Sequence, residues 1–376
     1  MSPRPLDIVV LGLSLSSSWG NGHATTFRAL LKALGARGHR VLFLERDQPW
    51  YASHRDLTDP AYCELALYDG VGELDRWRDR IAGADAVMVG SYVPEGVEVA
   101  GRVRELVRGA CLFYDIDTPV TLAAVDEGRC AYLTPETIQL FDVYLSFTGG
   151  PTLRRLERDY GARAARPLYC SVDPEAFAPR ETPKRWDLSY LGTYSPDRQP
   201  KLETLLLEAA RRAPDLRFAV AGSSYPDDVD WPANVEWIPH LAPPELPGFY
   251  AASRFTLNLT RADMTAAGYS PSVRLFEAAA TGCPVVSDNW AGLDELFRPD
   301  QEIVIAGSAD DVLRAVREWP AERVAELAAA ARSRVLDGHT ADHRAREFEA
   351  YVDEALHARS DAGEVEGAAR SLAVGA

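Results

Sequence analysis

The segment DLSYLGTYSPDRQPKLETLL places Arg198 and Lys201 at the mouth of a predicted helix, just past a glycine turn at Gly192 and Thr193. A glycine lets the backbone approach a phosphate closely, and two cations at that spacing can clamp a diphosphate. Solvated basic residues ahead of a helix would give the same pattern. A second stretch, AGYSPSVRLFEAAATGCPVVSD, reads as a loop, a short helix, a stop and a buried strand. Ser270 is expected at the N-cap and Pro271 at the first helical position, while Gly282 and Pro284 close the helix before Val285. The amides of Ser272 and Val273 then sit at the positive end of the helix dipole, where an anion is favoured. At about 100° per residue, Ser270 and Glu277 share a stripe and Arg274 lies one turn from Ser270. A solvated Arg274–Glu277 pair at i,i+3 is the competing explanation.

The first half offers a different set. In SLSSSWGNGHATTFRALL, Gly20, Asn21 and Gly22 form a turn whose donors can cradle an anion or a sugar, with His23 at its apex. His23 is suited to take a proton from a hydroxyl near neutral pH, or else caps the helix. In FYDIDTPVT, Asp115 and Asp117 are expected on one face, either binding sugar hydroxyls or a cation and orienting His23, or serving as turn and cap residues. Two carboxylates are too few to specify a metal site, and none is expected. SFTGGPT adds Thr148, Gly149 and Gly150 after another strand. In the second half Gly222, His240 and Arg261 come after successive strands in AVAGSSYP, WIPHLAPPE and LNLTRADMT.

These residues need elements to hold them on one edge. LDIVVLGLSL, HRVLFLERD, ADAVMVGSY and ACLFYDID alternate with helical patterns such as TTFRALLKALGARGH. That alternation is the mark of a parallel sheet wrapped by helices. It recurs in WDLSYLGTY, LRFAVAGSS, VEWIPHL, FTLNLT, CPVVSD and EIVIAG. A proline- and charge-rich stretch, CSVDPEAFAPRETPKRW, separates the halves. The expected domains are 1–170, rejoined by a returning helix at about 340–358, and 185–337, with 359–376 a flexible tail. Ligands bind beyond the carboxyl ends of parallel strands, so the expected site is a cleft where two such edges face each other.

Composition narrows the partners. The 376 residues are 47% hydrophobic and 26% charged, with no apolar run long enough to span a membrane. A net charge of −16 argues against nucleic acid. The five cysteines are scattered without CxxC spacing, which reads as reduced thiols in a cytoplasmic protein, and no leader peptide is recognised.

With LSYLGTYSPDRQPKL, GYSPSVRLFEAAATGCPVVSD, SSWGNGHATTFRALLKALGARGH, YDIDTPVTL and LYCSVDPEAFAP in view, the chain resembles group 1 glycosyltransferases of GT-B fold, most closely their CgeB-like branch. The resemblance implies two Rossmann-like domains facing across a cleft, a nucleotide-diphosphate sugar on the second, an acceptor on the first, and no cofactor. It implies that Arg198 and Lys201 meet the diphosphate, that the amides around Ser270 to Val273 cap it, that Glu277 takes the ribose hydroxyls, and that Gly222 and His240 flank the base. The usual E-x7-E pair departs here, because Tyr269 fills the first place. His23 resembles the catalytic histidine of inverting GT-B enzymes, whereas the group 1 branch mostly retains configuration. The rival readings are an idle GT-B scaffold that binds a nucleotide sugar, and an epimerase or phosphorylase, the latter needing a pyridoxal lysine that is not identifiable.

Overall fold

This computed structural model describes residues 4–19 and 22–374, with side chains as far as residue 361. Apolar runs such as IVVLG, VLFLE and AVMVG have both faces to bury, which a parallel sheet covered on each side by helices provides. The chain divides into two compact units, Met1–Tyr169 with Ala341–Ala376, and Cys170–Thr340.

Unit 1 contains β1 (Asp7–Gly12), β2 (Arg40–Arg46), β3 (Glu64–Tyr68), β4 (Ala86–Gly90), β5 (Ala110–Asp115), β6 (Val143–Ser146) and β7 (Ala165–Pro167). They pair in parallel in the order β3-β2-β1-β4-β5-β6-β7. Unit 2 contains β8 (Trp186–Leu191), β9 (Phe218–Ala221), β10 (Val235–Ile238), β11 (Ser253–Asn258), β12 (Val285–Ser287) and β13 (Val304–Ile305). Their order is β10-β9-β8-β11-β12-β13, again parallel. In both sheets the strand order reverses at a central pair, β1/β4 and β8/β11, and the loops beyond the carboxyl ends of such a pair are where open α/β sheets bind ligands.

The edge strands β3 and β7 were not among the expected ones. β3 is half-buried and β7 has three residues, so neither carries the apolar run of a central strand. The last helix, Ala341–Val374, belongs to unit 1 and continues beyond the expected end near 358, through a stretch with four alanines, the strongest helix former. It packs on the helix His23–Ala36, and its Ala345, Phe348 and Val352 are buried. Arg37 donates to both Glu349 oxygens at 2.5 and 2.7 Å. His39 accepts the Leu6 amide at Nδ1, which leaves its Nε2 proton for Glu349 at 2.7 Å.

Candidate functional site

In unit 2 the polar residues gather along the segment 191–198, which leaves β8 at the strand-order reversal. Gly192 is required by packing: a Cβ there would lie 2.4 Å from the Tyr190 hydroxyl and 3.1 Å from Arg274 Nη2. Gly222, with φ +153°, is required too, because its Cβ would fall 2.0 Å from Gly192 O. Gly222 is thereby explained by the meeting of two strand ends.

The helix that sequence reading begins at Ser270 begins later. It spans Val273–Ala280 with Ser272 at the N-cap position. Gly268 and Tyr269 have φ of 67° and 49°, and Ser272 is extended, so the turn is made before Pro271 and the helix can start only afterwards. Ser272 does not cap with its side chain; its hydroxyl donates to Asn258 Oδ1 at 2.7 Å. The C-terminus is as expected, with Gly282 at φ +75° and the Cys283 amide reaching Ala278 O.

Arg274 is 8% exposed and is not paired with Glu277 as a solvated surface couple. Its Nε donates to Leu191 O at 2.5 Å, its Nη1 to Asn258 Oδ1 at 2.9 Å, and its guanidinium lies 5.0 Å from the Tyr190 ring centroid. Nη2 is left beside Gly192 without a partner among the described residues. Arg198 donates to Thr193 O at 2.7 Å, and its buried Nε has no partner among the described residues. Arg261 likewise has a buried Nε without a hydrogen bond, 3.8 Å from Asp197 Oδ2. Against burial, hydrogen bonds from Ser195 and the Ala262 amide and the nearby guanidiniums hold Asp197 below the usual carboxylate range. Three cations from three separate segments of unit 2 therefore keep N–H donors unspent.

Lys201 differs from expectation. Its ammonium donates to Thr260 O and Thr265 Oγ1, both at 2.9 Å, and to Asp288 Oδ2 at 2.6 Å, which uses its three donors. Asp288 also accepts the Thr260 amide and hydroxyl, so the pair fixes the loop after β11. Glu277 is 3% exposed; Tyr250 donates to its Oε2 at 3.3 Å, and burial raises it to about 7. His240 is exposed. Asn258, the hub between Ser272 and Arg274, was missed by sequence reading, although an asparagine ending the run FTLN is its own signal.

In unit 1, Gly20 and Asn21 lie outside the described residues. Gly22 has φ −84° and open space around its Cβ position, so no turn there demands glycine. His23 opens the helix His23–Ala36; it is 8% exposed, its Nδ1 is buried without a partner, and burial lowers it to about 4. Neither aspartate orients it. Asp115 is fully buried and accepts from Tyr144 OH at 2.5 Å, Thr121 Oγ1 at 2.8 Å and the Asp117 amide at 3.1 Å, while burial raises it to about 6. Asp117 stands past the strand end, at the N-cap of Thr118–Asp126, so strand alternation does not put the two on one face. Between His23 and Asp117 stands Tyr92, unforeseen, edge-on to the imidazole at 5.2 Å and donating to Asp117 Oδ2 at 3.2 Å. Tyr92 comes after β4 with φ +63°, at the strand-order reversal. Thr148 is fully buried, its amide on Ser146 Oγ, and a Cβ at Gly149 would meet the Tyr169 hydroxyl at 2.0 Å.

Among the described residues no group of three His, Cys, Asp or Glu is placed to hold a metal, and no helix is long and apolar enough to cross a membrane.

Two parallel sheets with ligand-ready loops at their reversals define a GT-B fold, and solved structures agree. The chain is similar to sucrose-phosphate synthase from Thermosynechococcus elongatus, with a TM-score of 0.67 at 14% identity over 94% of this chain and 100% of that one. It is similar to Anabaena HepE in complex with UDP and glucose, with a TM-score of 0.64 at 12% identity over 93% and 100%. The catalytic domain of starch synthase IV from Arabidopsis thaliana, bound to ADP and acarbose, gives 0.66 at 10% identity over 94% and 100%. Residues 198–350 match the family described as glycosyl transferase-like. No curated protein sequence matches the chain. Family match and fold together support a glycosyltransferase enzyme.

Proposed function

We propose that the protein moves a sugar from a nucleotide-diphosphate donor held by unit 2 to an acceptor hydroxyl held by unit 1, as a member of the CgeB-like branch and without a metal. The observation that carries the reading is the set of unspent donors on Arg198, Arg261 and Arg274 around 191–198. Nucleotide or nucleotide sugar in the structural neighbours supports the same ligand class.

In the reaction the acceptor oxygen bonds to the anomeric carbon, and the bond from that carbon to the diphosphate breaks with its electron pair on the leaving oxygen. Arg274 and Arg198, with the amides at the start of Val273–Ala280, stabilise the charge that builds there. Lys201 positions the loop after β11 through Asp288 and does not itself clamp phosphate. Glu277 accepts ribose hydroxyls, and the exposed segment near His240 flanks the base. Tyr269 stands where a carboxylate usually recognises the donor sugar. His23, neutral because it is buried without a counter-charge, accepts a hydrogen bond from the acceptor hydroxyl, and the proton ends on the leaving diphosphate.

The test pairs calorimetry of UDP, ADP and GDP with an assay of nucleoside diphosphate released from their sugars. Binding of at least one, with slow release even without acceptor, is expected. Binding without any turnover across the donors would leave a scaffold, and no binding would remove the reading.

A further inference from the structure

Two tryptophans of unit 1 face solvent on the carboxyl edge of its sheet. Trp19, 50% exposed, lies in the loop after β1, and Trp50, 53% exposed, opens the turn after β2. They are joined through His54. The Trp19 indole stacks on the His54 imidazole, with centroids 4.4 Å apart and planes at 19°, and His54 Nδ1 lies 3.1 Å from Trp50 O. Large aromatic side chains left open to water on two loops tied to each other mark a binding surface more often than chance exposure.

The strip is held firmly. Glu45, fully buried at β2, accepts the amides of Leu15 and Ser16 at 2.6 and 2.8 Å and the Ser16 hydroxyl at 2.6 Å. Ser17 Oγ donates to His54 O at 2.8 Å, and Ser18 Oγ to Asp56 at 2.6 Å, so the two loops are tied to each other. A carboxylate hidden beneath a surface loop to pin its backbone lowers the ordering cost of binding by the rings above it.

Charge and rim select the occupant. Arg28 is closed by Asp56 and Arg55 by Asp47, each at 2.5 Å, which leaves no excess positive charge for a phosphate or an anionic lipid surface. The Ser53 hydroxyl lies 2.9 Å from His54 Nδ1, and Ser18, the chain neighbour of Trp19, donates to Asp56. Flat apolar faces with a rim of hydrogen-bonding groups match a sugar ring, which presents C–H groups on one side and hydroxyls around its edge. Trp19 and His23 are four Cα–Cα steps apart in the chain, so their Cα atoms lie within about 14 Å.

Building on the reading that unit 1 holds the acceptor, we propose that Trp19, His54 and Trp50 form a shelf for a neutral saccharide ring, so that the acceptor is a glycan or glycoside extending beyond the hydroxyl that reacts. Both rings are half exposed, so their removal is expected to leave the fold in place.

The test is saturation-transfer NMR with maltotriose, cellotriose and chitotriose on wild type and on Trp19→Ala/Trp50→Ala, with UDP, ADP and GDP calorimetry on the same samples. Expected are sugar C–H contacts in the wild type, binding of at least one trisaccharide weakened about tenfold or more in the double variant, and unchanged nucleotide affinity and melting temperature. No trisaccharide bound by the wild type, or equal binding by the variant, overturns the shelf. So does binding of phosphatidylglycerol vesicles that the variant loses while trisaccharides have no effect. Absence of nucleotide binding in the wild type would instead sink the glycosyltransfer reading, and trisaccharide binding lost in the variant would still establish the shelf.

Discussion

The carboxyl edges of the two sheets occupy the same topological position, yet they treat charged groups in opposite ways. In unit 2 a buried arginine, Arg274, spends two nitrogens on Leu191 O and Asn258 and keeps Nη2 open, and Arg198 and Arg261 each keep a buried Nε unpaired. In unit 1 the buried carboxylate of Asp115 is closed by three donors, and the nearest histidine is stripped of charge by burial. A charge fully answered inside the protein is structural, because a ligand would have to break what it meets. A buried donor left unanswered costs stability until a ligand arrives, and so predicts one of opposite polarity. Under the proposed function, the contrast matches the anionic, charge-developing part of the chemistry to unit 2 and a neutral substrate to unit 1.

The sharpest way to break that contrast is Arg274→Ala. Each charge-assisted hydrogen bond lost costs about 1.5–3 kcal/mol, so nucleoside diphosphate affinity should fall about 10- to 150-fold, with some loss of stability from the abandoned Leu191 O and Asn258. Arg198→Ala, which gives up one bond to Thr193 O, should cost about tenfold and leave the melting temperature alone. Asp115→Asn is the control from unit 1: it should lower stability and spare nucleotide affinity. Calorimetry beside thermal melts reads all three. Unchanged affinity in both arginine variants, or a loss in Asp115→Asn equal to theirs, would erase the distinction.

A milder effect sits on Glu277. Burial raises its carboxyl to about 7, so in the free protein it is partly protonated near neutral pH. A raised carboxyl contributes stability that is present at low pH and fades as pH climbs toward 7. Ribose hydroxyls are better held by the carboxylate, so nucleotide affinity should climb through that same range and level off above it. In Glu277→Gln the climb should vanish, and analogues lacking both ribose hydroxyls should bind wild type and variant alike. A climb that persists in the variant would give the titration to another group and leave Glu277 as a partner of Tyr250.

How far the sequence discloses this can be seen residue by residue. Central strands are legible because a run buried on both faces has one composition, whereas β7, three residues at an edge, has too little to bury. Arg198, Arg261 and Arg274 are found by inspecting the loops that leave each strand and the helices they enter, and the same inspection applied to β4 would have found Tyr92. The start of Val273–Ala280 is misread because serine and proline signal a cap locally, while left-handed backbone at Gly268 and Tyr269 delays the helix. The pairing of Lys201 is one no local pattern reveals: Asp288 comes from a distant strand end to meet its charge.

The smallest expected effect belongs to His23, and it separates a base from a binder. A general base that fully takes the proton contributes about 10²–10⁴ to turnover and works best with a pKa near the working pH. Among the described residues no carboxylate stands against the His23 ring, and burial lowers it to about 4, so it is already neutral at pH 7 but holds a proton poorly. His23→Ala should therefore lower turnover about tenfold or less and raise the acceptor KM, with donor affinity intact. His23→Asn, which keeps a hydrogen-bond acceptor, should recover most of the loss. An independent readout checks the burial itself. A histidine whose folded pKa is depressed contributes stability above its unfolded value of about 6.5 that disappears as pH falls toward 4, since the unfolded chain takes the proton first. The alanine variant should lose less stability over that interval than the wild type does. A fall in turnover of about 10² or more with an unchanged KM would mean that bound substrates restore the basicity of His23 and that unit 1 supplies the base after all.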